Sequence, residues 1–531
     1  MALISVSDKS GLAEFANGLS EIGFDFMSTG GTSKALQGAG VDPWDVSDVT
    51  GVPEGMDGRV KTLTPQVHGG LLARPGVERD LAYLEEVHGI WIDLVCVNLY
   101  PLQQEIAKPD STPESVIEQT DIGGPTMLSS AAKGRRIVVC DPADYPRVLE
   151  WLRAGEPDRE AFITELTAKA YVLVAAYRLL SGRYHGKGKY EGMIGTLVRA
   201  CKYGENPHQA PAGHYSVNVD DPLGLDRFEV IGDGEPSYNN LGDVDRMLQT
   251  MTHIAAGFAQ SYGGRIPYIA IAVKHGNPCG VGVDEDALVA LRRMVTGDRR
   301  AIFGGLVMTN FEIGGAEADV LDGYELEGGQ KRRILDGVVA SHFTKEAIDL
   351  LSRKGNKCRF VVNPYLQTPM IANLDTMPRF RYVRGGFLLQ PNYTYVLDLK
   401  QAGLENVPHL CAENLILAWA IGSTSNSNTV PLVRDLMLIG NGTGQQDRVG
   451  ACKLAITRAR DAGHRTEGAY AYSDSFFPFD DGPRLLINAG ITTILASSGS
   501  IRDAEVKATC EAAGVPLYLV PDAEARGFFG H

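Results

Sequence analysis

Between Met1 and Leu180, short apolar runs alternate with stretches whose apolar residues recur every third or fourth position. Leu3–Val6 reads as a strand, and Leu12, Phe15, Ala16, Leu19 and Ile22 as one face of a helix capped by Ser7. Phe24–Met27 reads as a second strand, ending in the glycine-rich run Ser28–Ser33. Ile92–Val97 is apolar apart from Asp93, the composition of a strand covered on both faces of a parallel sheet. A helix near Thr126–Ala132, a strand at Ile137–Cys140 and a helix at Arg159–Leu180 follow. This alternation predicts an open α/β sheet with helices on both faces, whose ligands bind beyond the carboxyl ends of the strands. The polar, glycine-rich and basic stretch Ser181–Tyr190 reads as an interdomain linker, which divides the chain into 1–190 and 191–531. The second part mixes strands (Ile266–Val273, Gly337–Ala340, Thr492–Leu495) with helices (Lys345–Ser352, Ile501–Ala513), and a two-lobed α/β or α+β unit is expected there.

Composition narrows the function. With 44% hydrophobic and 22% charged residues the chain has the make-up of a soluble globular protein. Its 61 glycines exceed the usual ~7%, which fits many tight turns and backbone-lined sites. A net charge of −15 argues against a general nucleic-acid binder, because neutralising phosphates needs a basic face. A small anionic substrate remains compatible with local basic groups. Eight cysteines without a C-x-x-C pair point to reduced thiols, and to neither a zinc site nor a disulfide framework. The start Met1–Lys9 enters a strand-like run at once, without the basic and apolar regions of a signal peptide, and no apolar run approaches the ~18 residues of a membrane span. A cytoplasmic enzyme is the expectation.

Several segments carry chemistry. Ser28-Thr29-Gly30-Gly31-Thr32-Ser33 follows a strand and opens a helix, so backbone N–H groups, hydroxyls and a helix N-terminus converge as in an anion site. Taken alone, an ordinary glycine-rich turn is an equal reading. Arg59, Lys61 and Thr62, with Ser5 and Ser7 at the first strand end, favour a phosphate. Asn98-Leu99-Tyr100-Pro101 ends the Ile92–Val97 strand, and Asp121-Ile122-Gly123-Gly124-Pro125 opens a helix leading to Lys133. Tyr100, Asp121 and Lys133 have the right chemistry to share protons over a substrate, but spacing alone favours turn and surface roles. Further on, Ile266–Val273 delivers Lys274 and His275 into a segment punctuated by Gly276, Pro278 and Gly280. Neighbours on a strand face opposite ways, so two bases serving one site require the chain to leave strand geometry, which those residues permit. On spacing alone, a strand end with two solvated bases is the better reading.

Together these motifs resemble a known family. Val6–Lys9, Ser28–Thr32, Gly58–Leu63, Asn98–Pro101 and Asp121–Gly124 resemble the cyclohydrolase half of the bifunctional AICAR transformylase / IMP cyclohydrolases of purine biosynthesis. Tyr203–Gln209 resembles their junction signature, and Lys274-His275-Gly276-Asn277-Pro278-Cys279-Gly280 their transformylase motif, with Ser473–Phe479 and Gly499–Asp503 completing the order. The resemblance implies a methylglyoxal-synthase-like parallel-sheet domain followed by two tandem cytidine-deaminase-like α/β lobes without their zinc. It implies an intertwined homodimer with the transformylase site between subunits, 10-formyltetrahydrofolate as co-substrate, no metal in the chemistry and room for a monovalent cation. In the cyclohydrolase half it implies ligand contacts from Ser5, Ser7, Ser28, Thr29, Gly30, Gly31, Thr32, Arg59, Thr62, Asn98, Ile122, Gly123 and Gly124. Lys61, Tyr100, Asp121 and Lys133 would handle protons and developing charge. In the transformylase half His275 would accept the proton of the AICAR amine and Lys274 stabilise charge. Asn428, Asp336, Asp481 and His531 would assist them. Lys202, Tyr203, Asn240, Phe303, Gly304 and Phe529 would contact substrate. Three departures stand out: Lys202 where the family usually has Arg, Asn441 and Thr443 where apolar residues are usual, and an Arg526–His531 segment one residue longer than the pattern. A regulatory ligand-binding module fits only the first part. A zinc deaminase would need a second cysteine that Pro278–Gly282 lacks. A chain with one live half is disfavoured, since both halves hold proton-transfer candidates.

Overall fold

A computed structural model describes residues 1–53, 55–56, 59–217, 220–326 and 328–530. Two of the positions named above, Gly58 and the proton-transfer candidate His531, lie outside the described residues. The chain forms two compact units, Met1–Ile194 and Gly195–His531.

In the first unit five strands, β1 (Ala2–Ser5), β2 (Phe26–Ser28), β3 (Trp44–Asp45), β4 (Leu94–Val97) and β5 (Ile137–Val139), lie in the order β3-β2-β1-β4-β5. Every pairing is parallel. Alternate residues of the central strands feed two cores. Ala2, Ile4, Leu94, Cys96, Ile137 and Val139 pack with Leu12, Phe15, Leu19 and Val148 on one face. Leu3, Val95, Val97 and Val138 pack with Val67, Leu71, Met127 and Leu128 on the other. Burial on both sides explains why these strands read as near-continuous apolar runs.

Two details differ from the sequence reading. Ser7 does not cap the first helix: the helix spans Leu12–Ile22 and starts from Gly11 at φ 66°. The intervening loop is instead gripped by Asn98, whose Oδ1 accepts the N–H groups of Ser7 at 2.6 Å and Asp8 at 2.9 Å. The stretch read as a linker is largely helix, because the helix begun at Arg159 continues to Gly186. Its extra turns are held by Tyr177, Leu180 and Tyr184, which pack on Leu102 and Val116.

The second unit is built on one eleven-stranded sheet. Its strands are β8 (Glu229–Ile231), β9 (Tyr268–Lys274), β10 (Asn277–Asp284), β11 (Leu306–Thr309), β12 (Gly337–Ala340), β13 (Arg359–Val362), β16 (Val430–Arg434), β17 (Met437–Gly442), β18 (Tyr470–Tyr472), β19 (Thr493–Ser498) and β20 (Leu517–Pro521). Two short ribbons, β6–β7 (Thr196–Cys201, Ala212–Ser216) and β14–β15 (Arg379–Val383, Gly386–Gln390), stand apart from it. The sheet contains one arrangement twice. An antiparallel hairpin, β9–β10 or β16–β17, is followed by an antiparallel neighbour, β11 or β18, and then by two parallel strands. The copies meet where β10 pairs antiparallel with β17 at Gly282 and Met437. The two expected lobes therefore share one sheet and one central core.

Each hairpin is preceded by a helix, Tyr238–Ser261 or His409–Ser423, and these two helices pack on each other. Leu415–Ile421 is wholly buried, including Trp419, as befits a helix apolar all round at the centre of a core.

The duplication extends to single glycines. A Cβ at Gly280 or Gly282 would stand 2.3 Å from the carbonyl oxygen of Met294 or 2.1 Å from that of Ala290. At Gly440 and Gly442 it would stand 2.3 and 2.0 Å from the carbonyl oxygens of Ala455 and Ala451. These glycines let the helices Ala287–Gly297 and Arg448–Asp461 lie directly on the strands. Gly280 thus serves packing and does not break the strand.

Candidate functional site

In the first unit a cleft of about 620 Å³ opens beyond the carboxyl ends of β1, β2 and β4. Ser5, Ser7, Thr29, Gly31, Thr32, Arg59, Lys61, Thr62, Asn98, Tyr100, Asp121, Ile122, Gly123 and Gly124 all line it. The N-terminal ends of the helices Gly30–Gly38 and Gly123–Lys133 carry several of these residues, so free backbone N–H groups and positive dipole ends join Arg59 and Lys61.

The local wiring is specific. Ser5 and Thr29 share a hydroxyl hydrogen bond of 3.0 Å. Thr32 Oγ1 donates to the Val6 carbonyl at 3.0 Å and accepts its N–H at 3.1 Å, which locks the glycine-rich turn to the first strand. Arg59 is paired with Glu118. Asp121 Oδ1 accepts the Gly124 N–H at 2.9 Å, its own N–H donates to the Tyr177 hydroxyl at 2.7 Å, and burial raises its carboxyl above the usual range. A carboxyl raised by burial is suited to exchange a proton.

Three expected residues stand differently. Ser28 is fully buried and donates to the Ile4 carbonyl at 2.8 Å, so it supports the strand pair from behind the cleft. Gly30 is absent from the lining, and a Cβ added there would meet Lys61 Nζ at an ordinary contact distance of 3.7 Å. Lys133 is not brought to the cleft. It is exposed at the far end of the helix opened by Gly123, and ten residues at ~1.5 Å of rise separate the two by roughly 15 Å. Conversely Lys9, Glu118, Thr120 and His185 line the cleft without having been singled out. His185 was hidden inside the stretch read as a linker.

In the second unit Lys274 ends β9 and the chain turns at once. His275 and Gly276 take φ values of 52° and 72°, and Lys274 pairs with Asn277 across them. Two successive positive φ values are the signature of a type I′ turn, whose twist matches that of the strands. The departure from strand geometry that two adjacent bases require is therefore present. His275 is exposed at the tip, and Lys274 Nζ donates to the Phe303 carbonyl at 2.6 Å. Phe303 and Gly304 form the loop before β11, and the Asp336 N–H donates to the Gly305 carbonyl at 3.0 Å. Lys274, His275, Phe303, Gly304 and Asp336 are thus grouped at one end of the sheet.

Other expected residues are engaged elsewhere. Asn428 does not reach His275: its Nδ2 donates to the Gln445 carbonyl at 2.9 Å and its Oδ1 accepts from Arg448 at 2.8 Å. Its loop is tied to the hairpin through the Asn426 N–H, which donates to Asn277 Oδ1 at 3.1 Å. Arg448 also forms a buried ion pair with Asp474. Asn240 is consumed in a capping box with Ser237 at the start of its helix. Lys202 and Tyr203 lie between β6 and β7, on the loop whose Glu205 carbonyl accepts from Asn239 at 3.3 Å. Asp481 is exposed at the start of a helix in the other half of the sheet, with its carboxylate on the Gly482 N–H. Phe529 is held by Ser425 and by two arginines considered below. The unusual Asn441 is buried and donates to the Pro278 carbonyl at 3.0 Å, binding β17 to the hairpin. Among the described residues no group of three His, Cys, Asp or Glu is close enough to hold a metal, and no helix is long and apolar enough to cross a membrane.

A parallel-sheet unit with a cleft lined by hydroxyls and cations, followed by a duplicated α/β unit presenting a Lys–His turn, has the make-up of a two-part enzyme. An MGS-like domain matches residues 11–126, and the AICARFT/IMPCHase bienzyme family matches residues 131–458. The chain is 38% identical over 527 residues, 97% of both partners, to the bifunctional purine biosynthesis protein PurH of Bacillus cereus (strain 03BB102). The PurH proteins of Bacillus thuringiensis subsp. konkukian (strain 97-27) and Bacillus anthracis (strain A0248) match to the same extent. A solved structure, that of ForH, is 36% identical across 36% of this chain and 98% of its own, with a TM-score of 0.32. The chain belongs to the AICARFT/IMPCHase bienzyme family, which formylates AICAR to FAICAR and closes FAICAR to IMP.

Proposed function

We propose that the two activities divide between the two units, with ring closure in the Met1–Ile194 cleft and formyl transfer at the Lys274–His275 turn. The AICAR amine is a weak nucleophile, because its lone pair delocalises towards the carboxamide. It must lose a proton as it attacks the formyl carbon of 10-formyltetrahydrofolate. His275, exposed at the turn, accepts that proton, and Lys274 counters the developing charge or protonates the departing folate nitrogen. Lys202 and Tyr203 meet the AICAR phosphate, with Phe303, Gly304, Asp336 and Phe529 lining its approach. Asn428, Asp481 and His531 assist Lys274 and His275, in an enzyme that works as a homodimer. Room for a monovalent cation and a cytoplasmic location belong to the same reading.

The observation that carries this reading is the contrast between the two hairpins. The second has the same shape, with Asp435 and Leu436 at φ 52° and 56°. It presents Arg434 and Asp435, paired to each other at 3.2 Å, where the first presents an exposed imidazole next to an ammonium. Of the two tips, the first is the one that holds an imidazole.

In the cleft, FAICAR closes on itself, so holding a folded conformer is much of the catalysis. The hydroxyls and helix ends around Ser7, Thr29, Gly31, Thr32 and Thr62 take the phosphate with Lys61. Tyr100 and Asp121 handle the proton and the oxyanion. The test is one reaction mixture of the full chain, AICAR and 10-formyltetrahydrofolate. IMP formation is expected. Accumulating FAICAR would contradict the cleft assignment, and an absence of formyl transfer would contradict the turn assignment.

A further inference from the structure

The His275 turn is gripped at both polar groups of one peptide residue. The Gly276 N–H donates to Asp243 Oδ1 at 2.7 Å, and the Gly276 carbonyl accepts from Arg246 Nε at 2.8 Å. Asp243 and Arg246 are three residues apart on the helix Tyr238–Ser261, hence on one face of it. Arg246 reaches further. Its Nη2 donates to the Thr424 carbonyl at 2.9 Å and to Asn426 Oδ1 at 3.0 Å, on the loop that leads to Asn428. Its guanidinium also lies 3.7 Å from the ring centre of Phe529, and that of Arg379 lies 3.5 Å from the same centre. Phe529 is bound to the same loop: its N–H donates to the Ser425 carbonyl at 3.0 Å, and the Ser427 N–H donates to the Gly530 carbonyl at 3.0 Å. Arg379 closes the arrangement by donating to the Phe529 carbonyl at 2.8 Å.

Arg246 is only 8% exposed. Keeping a guanidinium there costs desolvation, and its hydrogen bonds go to two carbonyls and an amide oxygen instead of a carboxylate. A cation so placed does one thing well: it fixes three chain segments, far apart in sequence, against one another.

We propose that Arg246 is a positioning residue for formyl transfer, holding the His275 turn, the loop of Asn428 and the Phe529 segment in one register, with Arg379 as a second clamp on Phe529. This rests on His275 being the proton acceptor. Arg246 touches no reacting atom. It acts by keeping the imidazole where the amine proton will be, and small misplacements of a catalytic group lower kcat far more than they weaken substrate binding.

The experiment is a double-mutant cycle of Arg246→Met and His275→Ala in the full-length protein, with FAICAR closure by the same preparations as the internal control. Arg246→Met is expected to lower kcat for formyl transfer at least 20-fold, to leave the KM for AICAR within threefold, and to leave ring closure unchanged. On the His275→Ala background it is expected to add less than threefold. A parental kcat in Arg246→Met, a loss residing in KM, or the full loss repeated on His275→Ala would overturn the proposal. His275→Ala working at the parental rate would instead overturn the base assignment on which it rests. If Arg246→Met does not fold, Arg379→Met on its largely exposed ribbon decides. A several-fold drop in kcat at constant KM supports the clamp, and a parental kcat refutes it.

Discussion

Gly124→Ala isolates the ring-closure site with the smallest possible addition. A methyl at this position would stand 2.4 Å from Asp121 Oδ2 and 2.8 Å from Leu99 Cδ2. A carbon and a carboxylate oxygen need roughly 3.2 Å, so the Asp121 side chain must swing away and its 2.9 Å bond from the Gly124 N–H is lost. Two effects on stability compete. Alanine in a helix gains about 0.5–1 kcal/mol over glycine, while overpacking costs about 1–3 kcal/mol. The fold therefore survives with little net change, and the perturbation falls on the position of one carboxyl. Assigning about 2 kcal/mol of transition-state stabilisation to that carboxyl gives a ~30-fold fall in kcat/KM. The assay is IMP formation from FAICAR, with formyl transfer by the same sample as control. A Gly124→Ala protein that closes FAICAR at the parental rate, with formyl transfer intact, would refute the role given to Asp121.

Other consequences follow from the same structure. Lys202→Arg replaces a point charge with a forked donor facing the AICAR phosphate, so the KM for AICAR should fall; an unchanged or raised KM would remove Lys202 from the phosphate site. His253 is buried, with Nδ1 on the Gln249 carbonyl at 2.7 Å, and burial lowers its pKa from 6.5 to about 4. Its folded value lies below its unfolded one, so the unfolded chain binds the extra proton between those values. Stability falls as pH drops from about 6.5 to about 4, by about 3 kcal/mol for this group. His253→Phe should flatten that part of the stability curve measured by denaturant unfolding, and an unchanged slope would contradict the assignment.

Much of this was legible in the chain because it is local. Strands buried on both faces announce themselves as apolar runs, and Leu12, Phe15, Ala16 and Leu19 keep the helical spacing that their burial requires. The glycine-rich turn, the Asp121–Gly124 helix start and the Lys274–His275 pair sit where the sequence put them, since each depends on a few consecutive residues. What was not legible depends on distant partners. Ser7 looks like a cap until Asn98, 91 residues away, takes its N–H. The helix through Ser181–Gly186 overrides its own glycines by packing on Leu102 and Val116. Arg246 looks like one more polar position on a helix, and nothing near it in sequence reveals that Thr424, 178 residues on, and Phe529 will surround it. The duplication of the second unit came only from the family resemblance, because its copies share glycine positions and strand order, not a visible sequence repeat. Lys133 is the opposite case: its position on a helix starting at Gly123 already sets it about two to three turns from the cleft.

The central claim is that one imidazole, at the tip of one of two similar hairpins, accepts the proton in formyl transfer while a separate unit closes the ring. The most direct measurement is the rate of both steps in His275→Ala. The account predicts a loss of 10²–10⁴-fold in FAICAR formation with FAICAR closure at the parental rate. Formation of FAICAR at the parental rate would contradict it.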